Sequence, residues 1–297
     1  MIIIDLDSSV YRIGFPSDNT SYDVICFTQD GDPCAQANFP KKKEAVTYGE
    51  SFDSYEVTAV KNPEPIENVL YSAKKGIQHI LDRCADYGPE YVLYLSGPNN
   101  FRAEEGFATI KPYKGTRSQE APHHYFNIRH YYSEHWGAMV IHNCEADDMC
   151  SIKAQECIAN GEKFVVASID KDLDMIPGHH YNPMRDVHYH MNDREAIQHF
   201  YKQMLSGDAT DNIGGCYKVG LKSVHLQAIE DMHSEAEMYN YVVDVYKESY
   251  EKKGCPYAHM SVMDVLLENG RLLWMQTEPN QLWTPPHLPF EYLESFE

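Results

Sequence analysis

The sequence predicts an α/β fold with a mostly parallel central sheet, and three observations carry that prediction. Short apolar runs at residues 1–6, 91–95, 138–142 and 164–169 read as buried strands. Helical periods fall between them, at 65–81 and 147–159, and strands that alternate with helices pack as parallel sheets. Three runs also end in or just before an acid: Asp5, Glu145 and Asp170. In open α/β sheets ligands sit beyond the carboxyl ends of the strands, so these acids are expected on one sheet edge.

The elements follow in order. Met1-Ile2-Ile3-Ile4 is a central strand ending in Asp5. Residues 21–63 are polar, with Gly31-Asp32-Pro33 and Tyr48-Gly49 turns and an alternating Tyr55 to Val60, which predicts a hairpin excursion. Ile66, Val69, Leu70, Ala73, Ile77, Ile80 and Leu81 keep a 3.6-residue period up to Gly88-Pro89, with Pro65 at the helix start. Residues 99–135 are rich in Lys, Arg, His and Tyr, a poor core segment that is expected to face a substrate. A hairpin spans 179–190, and Asn192 with Glu195 forms a capping box that opens a helix. The chain reads as helical from there to about residue 274, and a Pro-rich stretch, 279–289, as an extended tail.

Composition narrows the class. With 297 residues, 43% hydrophobic, the chain can bury a large core. No run approaches the ~20 apolar residues that span a bilayer. The eight Cys form no C-x-x-C pair and read as reduced thiols, which suits a cytosolic protein. The His pairs lack the partners of a known metal site and read as surface or hairpin residues. A net charge of −20 argues against a general nucleic-acid binder, so any polynucleotide must be met by a local basic strip.

The acids themselves are the strongest signal. Glu145-Ala146-Asp147-Asp148, Asp170-Lys171-Asp172 and Asp208-Ala209-Thr210-Asp211 place carboxylates in tight pairs. Two like charges ~4 Å apart repel by about 4 kcal/mol at an effective dielectric near 20, so such pairs need a cation. Hard oxygen ligands point to Mg²⁺ or Mn²⁺ and to phosphoryl chemistry. Each cluster has an ordinary reading as well: first-turn acids favoured by the helix dipole for 145–148, and turn formers beside Gly207 for 208–211. Asp7 reads equally as a supporting acid or a turn residue. The Gly-rich run from Gly207 through Gly214, Gly215, Lys218, Gly220 and Lys222 suits a backbone approach to phosphate.

Taken in order, Ile-Ile-Ile-Asp, Phe-Arg, Tyr-Lys-Gly-Thr-Arg, Glu-Ala-Asp-Asp, Ser-Ile-Asp-Lys-Asp and Gly-Asp-Ala-Thr-Asp-Asn-Ile-Gly-Gly resemble the 5′ nuclease family across about 1–275. That family comprises phage 5′→3′ exonucleases and flap endonucleases and the 5′ nuclease domain of bacterial DNA polymerase I. The resemblance implies a PIN-like nuclease domain over 1–191, with a helical arch over about 99–135. It implies a helical duplex-binding region over 192–297, with a helix-three-turn-helix element at about 207–231. It further implies metal ligands Asp5, Glu145, Asp147, Asp148, Asp170, Asp172, Asp208 and Asp211, with Asp170, Lys114 and Arg117 catalytic. DNA contacts fall to Arg102, Lys114, Arg117, Gly214, Gly215, Lys218, Gly220 and Lys222. Two Mg²⁺ (or Mn²⁺) ions and a K⁺ ion at the helix-three-turn-helix are the implied cofactors. The implied partner is DNA with 5′ ends, flaps or nicks, or an RNA-DNA hybrid, met by a monomer away from membranes. The rival readings are a PIN-like single-strand ribonuclease and a non-catalytic nucleic-acid-binding module. The sequence departs from the family where Ser96-Gly97 replaces an Asp, and where Cys216-Tyr217-Lys218-Val219-Gly220 replaces a Val-Pro-Gly-Ile-Gly turn.

Overall fold

A computed structural model describes residues 1–117 and 120–286. Six strands form the main sheet: β1 (Ile2–Asp5), β5 (Tyr91–Asn100), β6 (Met139–Asn143), β7 (Val165–Ala167), β8 (Gly178–Asn182) and β9 (Val187–Met191). Their order is β6-β5-β1-β7-β8-β9. All adjoining pairs are parallel except β8 with β9, the predicted hairpin. β1 is central because Ile2, Ile3 and Ile4 are almost wholly buried, as a strand covered on both faces demands. The chain leaves β1 for β5 and β6 on one side, then returns to β7 on the other. That reversal places the C-terminal ends of β1 and β7 at a topological switch point, the usual ligand crevice of such sheets.

The chain divides into two compact units: residues 1–8, 80–119 and 137–297, and residues 9–79 and 120–136. The second contains a three-stranded antiparallel sheet, β3-β2-β4, from β2 (Asp18–Phe27), β3 (Pro33–Phe39) and β4 (Ser54–Pro63), with α2 (Lys42–Gly49). The predicted hairpin is therefore three strands, because β4 pairs with β2 along its whole length. Helix α1 (Asp7–Ser17) was not legible, since its buried face is Ser9, Val10, Gly14 and Ser17, too small to show a period. α3 (Ile66–Arg83) is the predicted long helix.

Residues on both sides of the expected 191/192 boundary lie in the first unit. Beyond β9 come α6 (Asp193–Ser206), α7 (Val224–Glu230), α8 (Glu235–Glu251) and α9 (Val262–Leu273). Their core, with Phe200, Tyr201, Met204, Tyr246 and Leu266, also takes Phe107, Ile110, Tyr113 and Met175, so these helices pack with the main-sheet unit. α6 opens on the predicted capping box: Asn192 accepts from the Glu195 amide and the Glu195 carboxylate from the Asn192 amide. Over the expected arch, about 99–135, the described residues hold a 3₁₀ turn at Phe101–Ala103, turns and loop over 104–117, and α4 (Tyr125–Trp136). Gly106, Pro112 and Gly115 interrupt any helical register there. The tail beyond residue 286 lies outside the described residues.

Candidate active site

Asp5 ends β1, and its carboxylate accepts from the Asp7 amide and the Ser168 hydroxyl, both 3.0 Å away. Ser168 follows β7 and also receives the Asp170 amide, so one hydroxyl ties the ends of neighbouring strands together. Burial, then the nearby Asp7 charge, pushes the Asp5 carboxyl up to about 7. Burial and the neighbouring Asp170 do the same for Asp172, also to about 7, and burial raises Asp170. Asp147, in the first turn of α5 (Ala146–Asn160), is pushed well above the carboxylate range by burial, then by Glu145. Carboxylates held this far up mark a site short of positive charge.

Residues 113–117 bring positive charge among these acids, beside Lys171 and Lys202 on the cavity wall. Lys114 Nζ is ion-paired with Glu145 and lies 3.7 Å from Asp211 Oδ2. Arg117 donates to Asp211 at 2.6 Å. The Tyr113 hydroxyl lies within hydrogen-bond distance of both Glu145 and Asp211. The backbone fixes this strap: the Lys114 amide donates to the Asp211 carbonyl, and Asn212 Nδ2 to the Pro112 carbonyl. Lys114 adopts a left-handed φ of 55°, uncommon for a non-glycine residue.

A cavity of about 760 Å³ opens beside these groups, lined by Asp147, Asp170, Asp172, Asp208 and Asp211 with Lys114 and Arg117. Glu145 borders a smaller recess that Asp147, Asp172, Asp208 and Asp211 share. Among the described residues no three His, Cys, Asp or Glu side chains are grouped so as to enclose an ion. The eight expected ligands thus do not form one shell, because Lys114 and Tyr113 stand between Glu145 and Asp211. The donor set nonetheless fits hard divalent cations: it is all carboxylate oxygen, and an ammonium already stands among it as a stand-in cation.

Two expected roles are corrected by burial. Asp148 is 0% exposed, and its oxygens accept from both Arg102 nitrogens, the Gln276 amide and the Glu145 amide, leaving none for a metal. It is the capping acid of α5 that its first-turn position allowed. Arg102, expected against DNA, is 2% exposed and also donates to the Leu272 and Trp274 carbonyls. It holds Asp148 and stands 3.7 Å from Glu145. Burial would depress the Arg102 guanidinium, but Asp148 more than offsets it and raises it well above the ordinary value. For Asp148 burial raises the carboxyl, but Arg102 wins and holds it below the usual range.

Other sites differ in detail. Asp208 accepts from the Thr210 amide, the turn role, and lines the cavity as well. Where an Asp was missing, Gly97 is required, since a Cβ there would lie 2.3 Å from the Ile141 carbonyl oxygen. The neighbouring Ser96 amide instead donates to Asp7, and Ser96 Oγ accepts the Ala146 amide at the start of α5. Asp7 therefore places a carboxylate against Ser96, midway along β5. Sequence reasoning missed Tyr113 and Gln203, which donates to Asp172 at 2.5 Å. Tyr113 sits in the quoted Tyr-Lys-Gly-Thr-Arg stretch, the one signal that marked it.

The connector 207–223 joins α6 to α7. Gly207 and Gly215 both have positive φ, and a Cβ on Gly215 would lie 2.2 Å from the Gly207 nitrogen. Gly215 is buried and its carbonyl faces Asn269, so chain packing demands this glycine and its amide is not at a DNA surface. Lys218, Gly220 and Lys222 are exposed.

No family model matches the chain. A 5′-3′ exonuclease of Buchnera aphidicola subsp. Schizaphis graminum is 28% identical over 175 residues, 54% of this chain and 60% of that protein. The chain thus spans about three fifths of that relative's length. A phage T5 protein co-crystallised with metal ions superposes over 93% of this chain and 89% of its own, with TM-score 0.50 and 14% identity. A T5 5′-exonuclease with bound zinc has TM-score 0.41 and 17% identity over 66% and 87% of the two chains. The chain shares its fold with the T5 protein co-crystallised with metal ions.

Proposed function

We propose that this chain is a metal-dependent 5′→3′ exonuclease and flap endonuclease that hydrolyses phosphodiester bonds near DNA 5′ ends. One observation carries the reading: carboxylates from three separate stretches, Asp147, Asp170 with Asp172, and Asp208 with Asp211, line one cavity rimmed by Lys114 and Arg117, with Glu145 in an adjoining recess and Asp5 buried near Asp170. The Buchnera exonuclease and the shared fold support it.

Asp147, Asp170, Asp172, Asp208 and Asp211, with Glu145 beside them, are the residues that would hold two Mg²⁺ or Mn²⁺ ions, and Asp5 backs Asp170. Divalent ions bound there supply Lewis acidity that lowers the pKa of water and offsets phosphate charge. The chain's own residues do the rest. Lys114 exchanges Glu145 for the scissile phosphate and neutralises its developing charge, and Arg117 binds the adjoining phosphate oxygen. Arg102 and Asp148 keep the start of α5, and so Glu145 and Asp147, in place. Lys222 and Gly220 meet the duplex from the exposed connector, and a K⁺ ion there would take its hard carbonyl oxygens. RNA in RNA-DNA hybrids belongs to the same substrate class, and a monomer suffices.

The test is Mg²⁺-dependent cleavage of a 5′-labelled flap, beside nicked DNA and single-stranded RNA. Released flaps or mononucleotides are expected, and Asp170→Asn should abolish them with DNA binding nearly intact. Wild-type turnover by Asp170→Asn, or cleavage of the RNA alone, overturns the reading.

A further inference from the structure

Three of the acids that line the catalytic cavity are oriented by a backbone amide close by in sequence. Asp147 accepts from the Asp148 amide at 2.6 Å, Asp170 from the Asp172 amide at 3.0 Å and Asp208 from the Thr210 amide at 2.7 Å. Asp172 has no such amide. Among the described residues its carboxylate has one hydrogen-bond donor, Gln203 Nε2 at 2.5 Å, and that donor comes from α6, 31 residues along the chain. Gln203 stands on the wall of the same cavity, four residues after His199 on the same face of the helix.

Two properties of this amide bear on the site. It is neutral, so it orients Asp172 and leaves the carboxylate its charge. Lys114 does the opposite at Glu145, where an ammonium already stands in for a cation. The second property is an acceptor without a donor: Gln203 Oε1 is buried and, among the described residues, receives no hydrogen bond. Such an atom is costly, and nearly all buried polar atoms of folded chains have a partner in protein or water. Oxygen and nitrogen are told apart by their partner, since only the nitrogen can donate to an ionised carboxylate.

We propose that Gln203 is a positioning residue for a divalent cation at Asp172, its amide nitrogen orienting the carboxylate and its amide oxygen receiving a hydrogen bond from water that the cation carries. Mg²⁺ keeps several waters among its ligands, and their hydrogens point away from the ion. One amide thus meets both needs: the carboxylate stays aimed and charged, and the buried oxygen gains its donor. Hydrogen-bond partners behind a ligating carboxylate govern metal affinity by about 10–100-fold. The inference rests on the metal-dependent reading above.

The experiment titrates Mn²⁺ alone into the full chain, without DNA, and reads the free ion by electron paramagnetic resonance. Gln203→Met, close in shape but without hydrogen-bonding nitrogen or oxygen, should weaken Mn²⁺ binding about 10–100-fold. Gln203→Asn, which carries the amide on a shorter stem, should do the same and serves if the first variant folds poorly. Ser206→Ala, on the same helix with its hydroxyl bonded to the Gly207 carbonyl, should leave the affinity unchanged. Because Gln203 acts through Asp172, adding Gln203→Met to Asp172→Asn should weaken binding by no more than about twofold beyond Asp172→Asn alone. In cleavage, the Mg²⁺ concentration at half-maximal rate should rise while the rate at saturating Mg²⁺ recovers; a merely structural role would lower the rate at every Mg²⁺ concentration. Wild-type Mn²⁺ affinity in either Gln203 variant, losses that add in the double variant, or an equal loss in Ser206→Ala overturns the proposal alone. A wild-type chain that binds no Mn²⁺ overturns the metal-dependent reading, and the proposal with it.

Discussion

Replacing Arg102 by Met tests the buried pair beneath the active site. Arg102 is 2% and Asp148 0% exposed, joined by hydrogen bonds of 2.6 and 2.9 Å. Removing the guanidinium leaves a buried carboxylate uncompensated and the Leu272 and Trp274 carbonyls without their donor. Breaking one side of a buried pair costs about 3–5 kcal/mol, a large share of the roughly 5–15 kcal/mol that holds a domain folded. Urea unfolding should report that loss. Arg102→Met with Asp148→Leu should recover much of it, because the stranded charge is gone, so the double-mutant cycle shows strong coupling. A second signature is pH. In the wild type Asp148 is held low, so its contribution is present above the unfolded value of about 3.9 and is lost only as pH falls below it. Without Arg102, burial alone raises the carboxyl, the folded state takes up a proton, and the deficit should shrink as pH falls from 8 to 5. A cost under about 1 kcal/mol, purely additive double mutants, or a deficit independent of pH would refute the reasoning.

Lys114→Ala should lower the cleavage rate by roughly 10²–10³ with a smaller change in DNA affinity, and a change confined to affinity would contradict its role. The same variant, freed of the ammonium between Glu145 and Asp211, should bind Mg²⁺ more tightly by calorimetry without substrate. Asp5 and Asp172 are each raised to about 7, so the metal-free folded state binds more protons than the unfolded one. Its melting temperature in EDTA should therefore fall as pH rises from about 4 to about 7, and Mg²⁺ should restore it at pH 8. Gly215→Ala should destabilise by about 1–3 kcal/mol, since a left-handed φ and the Gly207 backbone both oppose a side chain; an unchanged unfolding midpoint would count against that packing.

Much of the site was legible because the cost of burying charge is local. An acid closing the run Ile2-Ile3-Ile4 needs an explanation wherever the strand goes, and Asp5 is 6% exposed. The same logic misled at Asp148, which belongs to the same tight run of acids as Asp147. Nothing local tells which of two successive first-turn carboxylates faces the cavity and which faces an Arg. Arg102 was illegible for a related reason: its partners, Asp148, Leu272 and Trp274, lie 46 to 172 residues away. The Lys, Arg and Tyr of 99–135 marked a functional segment, whereas the packing of Phe107, Ile110 and Tyr113 against the helical core depends on residues far along the chain.

The sequence alone determined the alternation of strands and helices, the capping box of α6 and the spacing of acids near strand ends, because periodicity, caps and the penalty on buried charge act over a few residues. Only the tertiary structure decided which acids share a cavity, that Arg102 serves Asp148 and not DNA, that the Ser96 amide binds Asp7, and that Gly207 and Gly215 stack backbone on backbone. Those outcomes depend on contacts between distant segments, where the chain's path, and not its local preference, sets who meets whom.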